Sequence, residues 1–202
     1  MPRINPEYRE DARRKILDAA LDAATENGWQ ALTLDEIAQR VGVTKGALYA
    51  YFESRDALFR ELILEVFTRF RDDLMAALAD NPEMPVVLGR ISDLIFVRQK
   101  QYMSLFVEMT ASIPRDPVLK EQFTGIYGKN SGLFRDLIAC RQAEGKLPKN
   151  GDPDELARAI VALAIGLRVT SIYLGVDSGK ARQIWEHSVR LMLGIPETGA
   201  KP

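Results

Sequence analysis

Residues 33–52, TLDEIAQRVGVTKGALYAYF, have the pattern of two short helices joined by a tight turn. The apolar residues have the spacing that lets two helices pack at a steep angle; they are Ile37, Ala38, Val41, Val43 and Leu48. Gly42 falls where the first helix should end, and a left-handed turn residue costs glycine little. Thr33 and Thr44 occupy N-cap positions, the first completed as a capping box by Glu36. The segment is therefore predicted to be a helix-turn-helix, which places its second helix in the major groove of DNA.

Hydrophobic spacing elsewhere in the chain predicts helices and no strands. Breaks at proline, glycine and capping residues place the further helices at residues 7–27, 54–80, 86–101, 102–113, 118–144, 153–174 and 180–193. The expected fold is all-α with about nine helices. We expect a helix-turn-helix DNA-binding domain over residues 1–53 and a helical effector-binding and dimerisation domain over residues 54–202.

Composition and charge limit the classes of function. The chain has 202 residues and a net charge of −1, so DNA affinity has to come from local geometry rather than from a strongly basic surface. We expect no membrane span and no secretory signal, and the single cysteine, Cys140, suits a reducing cytoplasm. One histidine and one cysteine do not supply a typical metal site. With no nucleophile elbow and no phosphate-binding loop, neither catalysis nor a cofactor is expected.

The two carboxyl-terminal helices predict a surface for self-association. Residues 156–174 are apolar nearly all round, and in a protein of this size such a helix needs a second surface to pack against. A twofold four-helix bundle would provide that surface. The residues expected at the dimer interface are Ala159, Ala162, Gly166, Val169, Tyr173, Ile184, Trp185 and Met192.

Glycines at positions 125, 128 and 132 share one face of the helix predicted at residues 118–144. Each glycine costs roughly 1 kcal/mol relative to alanine, so this helix is expected to bend or break near Asn130. The glycines indicate either mobility or close approach to a neighbour, or a locally irregular helix without a special role. The sequence leaves these alternatives open.

The segment IAQRVGVTKGALYAYFESRDAL, residues 37–58, resembles the amino-terminal domain of tetracycline-repressor-like (TetR-type) transcriptional regulators. This resemblance implies a set of phosphate contacts from Thr33, Thr44, Tyr49, Tyr51 and Arg55. It also implies that Lys45, Gly46 and Ala47, at the start of the second helix, face base edges. Hydroxyl groups and the first turn of a recognition helix suit these roles.

The resemblance further implies a small-molecule effector, bound in the carboxyl-terminal domain, that releases DNA. Aromatic and methionine residues at helical spacing are more often plain core than pocket, so fewer than half of the candidates should touch a ligand. A pocket lined by them would suit an apolar or aromatic effector. The candidates are Phe67, Phe70, Phe96, Met103, Phe106, Phe123, Tyr127, Phe134, Leu163 and Arg168.

For several charged residues the sequence predicts the surroundings of the side chain. Arg168 interrupts the most apolar helix and could face a ligand, a partner subunit or solvent. Glu108 lies opposite the apolar arc of its helix and is expected to be exposed. Arg9, Arg13, Arg14 and Lys15 of the first helix could reach DNA phosphates. Because Glu10 and Asp11 lie four residues before Arg14 and Lys15, surface ion pairs are expected for most of these cations instead.

These observations predict a homodimer that places two recognition helices on a palindromic double-stranded operator. The helix over residues 54–80 would connect the two domains mechanically, and repression is implied by the resemblance alone. The competing interpretation is a helical ligand-binding protein or enzyme whose helix-turn-helix does not bind an operator.

Overall fold

The computed structural model of the protein describes residues 6–80, 82–98 and 102–196. Within these ranges the chain forms nine α-helices and no strand, which confirms the all-α prediction. The helices are α1 (Pro6–Asn27), α2 (Leu34–Val41), α3 (Lys45–Tyr49), α4 (Arg55–Leu78), α5 (Met84–Asp93), α6 (Met103–Ser112), α7 (Pro117–Ala143), α8 (Pro153–Leu174) and α9 (Ser178–Leu193).

The chain folds into two compact units. Unit 1 consists of Met1–Thr68 and Ser104–Phe123, and unit 2 consists of Arg69–Met103 and Thr124–Pro202. Helices α4 and α7 each contribute to both units, and unit 1 includes nearly all of α6. The functional boundary expected after residue 53 stays a prediction, since the compact units do not follow it.

The core of unit 1 is built on α1, α2, α3 and the first turns of α4. Trp29, which follows α1, is almost fully buried and stacks on Phe59 with ring centroids 4.5 Å apart. Stacked aromatic rings of this kind stabilise a core beyond the area they bury. The other buried apolar residues of these helices include Ile16, Leu17, Ala20, Leu21, Ala24, Leu32, Ile37, Ala38, Leu48, Phe52, Leu58, Leu62 and Ile63.

The core of unit 2 surrounds Trp185 of α9. This side chain is fully buried, and its indole Nε1–H donates a hydrogen bond to the carbonyl oxygen of Ile160 at 3.3 Å. The assignment of Trp185 to the dimer interface is therefore corrected, because none of its surface is left for a partner. Buried neighbours of Trp185 in this core include Leu74, Leu88, Ile91, Leu94, Phe96, Phe134, Ile138, Ile160, Val189 and Leu193.

Helix α5 continues into one wider, π-helical turn at Leu94–Arg98, where a regular helix was expected. Leu94, Ile95 and Phe96 are three consecutive residues, and all three are buried. A regular α-helix turns 100° per residue, so it would swing one of three such residues toward its outer side. The wider turn lets the chain keep all three apolar side chains inside, and turns of this kind are frequent at functional sites.

Helix α7 runs without interruption from Pro117 to Ala143. The expected break near Asn130 is therefore wrong. A Cβ atom added at Gly125 or Gly128 would meet no atom within 4 Å, so neither glycine is required there by close packing. Their cost to the helix is tolerated because the continuous backbone hydrogen bonds and the buried side chains of Phe134 and Ile138 hold it.

Helix α8 is long and apolar enough to cross a membrane by length and composition. One such helix is weak evidence for a membrane span, so the expectation of no membrane span stays a prediction. Most of its apolar stretch is not buried within the chain, so α8 presents apolar surface to the outside. Gly166, Ile172, Tyr173 and Leu174 are all exposed on it.

Candidate nucleic-acid interface

The first helix of the helix-turn-helix, α2, is fixed at both ends by local hydrogen bonds. The Thr33 hydroxyl accepts from the backbone N–H of Glu36 at 3.2 Å, and the Glu36 carboxylate accepts from the backbone N–H of Thr33 at 3.1 Å. At the other end Gly42 has φ +79°, and its N–H donates to the carbonyl oxygen of Ala38 at 2.9 Å. The capping box and the left-handed glycine predicted from sequence are both confirmed.

The recognition helix α3 begins at a second capped turn. The hydroxyl of Thr44 accepts from the backbone N–H of Ala47 at 3.2 Å, which leaves its hydrogen available for donation to a phosphate. Leu48 is buried and anchors the helix, whereas Lys45, Gly46 and Tyr49 are exposed. Ala47 and Tyr51 are partly buried. The short helix therefore presents its first turn and one tyrosine to the outside while Leu48 holds it in place.

Lys45 pairs with an acid of its own motif. Its ammonium Nζ lies 2.8 Å from Oδ2 of Asp35 in α2, and both side chains are exposed. The hydrogen bond to Asp35 is the main cause of a raised pKa for Lys45. A phosphate or base edge that binds Lys45 therefore competes with Asp35 for the same ammonium group.

Arg55 points inward, so the phosphate contact predicted for it would compete with partners inside the protein and stays a prediction. Its Nε donates to the carbonyl oxygen of Leu32 at 3.0 Å, and its Nη2 donates to that of Trp29. The guanidinium also lies over the Trp29 ring, 4.6 Å from the centroid. An arginine that has two carbonyl partners and an aromatic face has little freedom to reach DNA. Its role is to hold the link between α1 and α2 against the start of α4.

Two arginines of α1 brace the end of the recognition helix. Arg13 donates to the carbonyl oxygen of Tyr51 at 2.9 Å, pairs with Glu61 and lies over the ring of Phe52. Arg9 donates to the carbonyl oxygen of Ala50 at 3.3 Å. Surface ion pairs within α1 were expected, but these arginines bind the backbone that follows α3. They satisfy carbonyl groups that a helix leaves without partners at its carboxyl end.

Sequence reasoning missed the part that Glu108 has in this unit. Glu108 of α6 is partly buried, and its carboxylate accepts from the backbone N–H of Trp29 at 3.0 Å. A Cβ atom added at Gly28, which has φ +78°, would lie only 3.0 Å from Oε1 of the same carboxylate. Glu108 thus ties α6 to the turn that leads into the helix-turn-helix. The sequence shows a glycine–tryptophan pair, Gly28–Trp29, directly after a helix. This pair does not indicate which distant residue accepts the hydrogen bond from Trp29.

Comparisons with known proteins agree with this geometry. Residues 16–62 match the profile of bacterial regulatory proteins of the tetR family, and residues 90–194 match the profile of the BetI-type transcriptional repressor carboxyl-terminal domain. The second match alone covers more than half of the chain. The chain belongs to the TetR family of bacterial transcriptional regulators. Because the family's members are regulators and not enzymes, the expectation that this chain is not an enzyme is confirmed.

Individual relatives match between about half and nearly all of this chain. A transcriptional repressor of Mycobacterium tuberculosis is 23% identical over 94% of this chain and 99% of its own. A negative regulator of a biofilm operon in Staphylococcus epidermidis is 26% identical over 48% of this chain, a match that spans about half of that relative's length (53%). A regulator from Saccharomonospora viridis, crystallised with choline, shares the fold with a TM-score of 0.79 at 20% identity, over 90% of this chain and 96% of its own.

The residues predicted for the effector site of this TetR-family chain are distributed over both units. In unit 1, Phe67 and Phe123 contact each other edge to face at 4.8 Å, and Phe106 is partly buried. In unit 2, Phe96 and Phe134 are buried, Phe70 and Leu163 pack against the core, and Tyr127 is partly buried. The side chain of Met103 lies outside the described part of the structure.

Two of the predicted effector residues meet at one cavity. Phe96 and Arg168 both line a cavity of about 270 Å³ within unit 2. Burial lowers the pKa of Arg168 to about 10, so its guanidinium remains charged at neutral pH. Among the described residues, no group of three or more histidine, cysteine, aspartate and glutamate side chains could hold a metal ion.

The residues predicted for the dimer interface, Trp185 apart, lie where a partner can reach them. Exposed positions are Ala159, Ala162, Gly166, Tyr173 and Ile184, and partly buried positions are Val169 and Met192. Because a Cβ atom at Gly166 would meet nothing within 4 Å in the protomer, the small residue there leaves room for something outside the chain. Their part in a dimer stays a prediction.

The pair between Lys45 and Asp35 generates a test of the recognition helix. We expect Asp35→Asn to raise affinity for a specific DNA duplex by about two- to tenfold, because it frees Lys45 and removes a negative charge beside the helix. Asp73→Asn, the same charge change at an exposed position of unit 2, is the control and should leave affinity unchanged. Fluorescence anisotropy with a labelled duplex measures both. A loss of affinity in Asp35→Asn would show instead that Asp35 holds Lys45 in its DNA-binding position.

Proposed function

We propose that this TetR-family regulator is a cytoplasmic repressor that binds a palindromic operator as a homodimer. The observation that carries the proposal is the exposed first turn of α3. Thr44 caps its amino-terminal end, and the buried side chain of Leu48 anchors the helix in the core. Lys45, Gly46 and Ala47 stand where a recognition helix contacts base edges, and hydroxyls of Thr44 and Tyr49 suit phosphates. One recognition helix makes only a small contact with DNA. A second recognition helix, bound to a symmetric half-site, increases affinity and specificity.

The apolar surface of α8 supports the dimer. A partner's α8 and α9 would cover it in a twofold four-helix bundle, which explains why so apolar a helix is left open in one protomer. The dimer would then hold two recognition helices about 34–36 Å apart, one turn of DNA, or somewhat further.

The effector mechanism follows from the position of α4 and α6 in the chain. Helix α4 begins in unit 1 and ends in unit 2, and Glu108 ties α6 to the turn before the helix-turn-helix. A small apolar or aromatic effector that favours one arrangement of these helices would change the separation of the two recognition helices and release DNA. The shift in the DNA-binding equilibrium equals the effector's difference in affinity for the two arrangements.

Operator binding is tested with duplexes from the promoter region of the protein's own gene. We expect specific binding at modest salt, a loss of about 1–3 kcal/mol in Lys45→Ala, and a strong loss in Tyr49→Ala. Tyr49→Phe separates the hydroxyl from the ring, and Lys180→Ala in unit 2 is the control for a lost lysine. An electrophoretic mobility shift assay measures the DNA affinity of the wild type and of these four variants. If the wild-type protein binds no duplex better than random DNA, the operator-binding proposal is wrong. The alternative, a helical ligand-binding protein whose helix-turn-helix does not bind an operator, then explains the data better.

The dimer is tested at Gly166. Leucine fits this position in the protomer, because a Cβ atom there meets nothing within 4 Å, but it would hold apart two α8 helices packed face to face. We expect Gly166→Leu to elute as a monomer on a calibrated sizing column, with an unchanged circular dichroism spectrum. Gly128→Leu, at an equally open and exposed glycine of α7, should remain a dimer. An unchanged elution volume for Gly166→Leu would contradict this interface.

A further inference from the structure

One side of α8 faces the cavity in unit 2 and the opposite side faces outward. Arg168, Ser171, Ile172 and Gly175 line the cavity at spacings of three, four and seven residues, so they form one stripe of the helix. The α8 residues predicted for the dimer interface, at positions 159, 162, 166, 169 and 173, form a second stripe. At 100° per residue the two stripes point in nearly opposite directions. The cavity is therefore separate from the proposed dimer face.

The rest of the cavity wall is mostly apolar. Ile95 and Phe96 enter it from the π-helical turn, and Val176 enters it from the loop after α8. An apolar cavity of about 150 Å³ accommodates benzene, so 270 Å³ suits a molecule of about ten non-hydrogen atoms. The volume is near the lower end of the range for ligand pockets. The site fits a small ligand rather than an extended one.

The charge in this wall selects among small ligands. Burial has removed part of the water that stabilises the Arg168 guanidinium, as the direction of its pKa shift indicates. An anion in the cavity would replace that water with a charge-assisted hydrogen bond. The guanidinium has five donors, so it can serve a ligand in addition to its contacts within the chain.

A quaternary ammonium ligand fits the same wall poorly. Cages for choline-like cations are built from several aromatic faces, and the cavity is lined by one aromatic residue, Phe96, together with the cation Arg168. Choline is the ligand in the Saccharomonospora structure. The two regulators share a fold, but the chemistry of this cavity points to a ligand of opposite charge.

The second charged residue of the wall limits the ligand's charge to one. Asp177 lines the cavity too, and its Oδ1 accepts from the backbone N–H groups of Gly179 and Lys180 at 2.8 and 3.2 Å as the N-cap of α9. Arg168 is the one cation among the lining residues and pairs with one negative charge. The second charge of a dianionic phosphate would have no cationic partner in the wall and would be repelled by Asp177. The ligand's anionic group therefore belongs on the Arg168 side of the cavity, where Ser171 lies on the same stripe of α8.

We propose that the cavity between α8, the start of α9 and the π-helical turn binds a small monocarboxylate with an apolar tail, held by Arg168 at its carboxylate end. The proposal deepens the proposed function, on which it rests for the ligand's role as effector. The tail would lie against Ile95, Phe96 and Val176.

The test is a charge series on the full-length wild-type protein. Octanoate, octanamide, hexyl phosphate and choline are titrated by isothermal titration calorimetry and compared in thermal shift. Octanoate should bind at least tenfold more tightly than octanamide and than hexyl phosphate, and choline should not bind. Equal affinity for octanoate and octanamide, tighter binding of hexyl phosphate or choline, or no binding of octanoate would each overturn the proposal.

Variants locate the site. Arg168→Met keeps an unbranched stem but removes the charge, so it should weaken octanoate binding at least tenfold while leaving octanamide unchanged, and Arg168→Lys should fall between. Arg158→Met, on the exposed side of the same helix, is the control and should bind like wild type. Unchanged octanoate affinity in a folded Arg168→Met would overturn the assignment. If Arg168→Met does not fold, the wild-type charge series still decides.

The same preparation is assayed for operator binding with and without octanoate, which separates two failures. A protein that binds its operator but not octanoate overturns the carboxylate site and leaves the regulator in place. A protein that binds octanoate through Arg168 but binds no operator overturns the proposed function and leaves the site in place.

Discussion

The helix-turn-helix depends on one arginine that points into the protein. Arg55 stacks on Trp29 and donates hydrogen bonds to the carbonyl oxygens of Trp29 and Leu32, so it joins the first residue of α4 to the turn between α1 and α2. Trp29 in turn stacks on Phe59 and donates its backbone N–H to Glu108. Each carbonyl satisfied in this turn would otherwise lose its hydrogen bond in a poorly hydrated place. A bend here would displace α2, and α3 with it.

This use of arginine has a consequence for DNA recognition. In the described part of unit 1, six cationic side chains already have partners within the protein: Arg9, Arg13, Arg40, Lys45, Arg55 and Arg60. These cations hold the helix-turn-helix together and do not form a strongly basic surface, in agreement with the net charge of −1. Recognition has to rely on capped helix ends, hydroxyl groups, tyrosines and a recognition-helix lysine that exchanges one partner for another.

The sequence predicts best what is decided locally. Thr33, Glu36 and Gly42 set the ends of α2 through contacts a few residues apart, so the motif and the helical fold could be read from the chain. Contacts between distant residues were missed. Glu108 lies 79 residues from Trp29, and the inward turn of Arg55 depends on a ring 26 residues before it. Trp185 resembles a surface residue of an amphipathic helix until α8 packs over it. The π-helical turn buries three consecutive apolar residues, a pattern that regular helical spacing does not predict.

Most cationic side chains in the described part of unit 1 are engaged by partners within the protein, so few remain to bind DNA phosphates. The measurement is the slope of log K against log salt concentration for wild-type protein on its operator. With few cations left for phosphates, a dimer should neutralise about four to six phosphates and give a slope of ~−3.6 to −5.4. A slope of about −8 or steeper would contradict the claim, because it would require that the arginines holding the motif together also bind the phosphates of DNA.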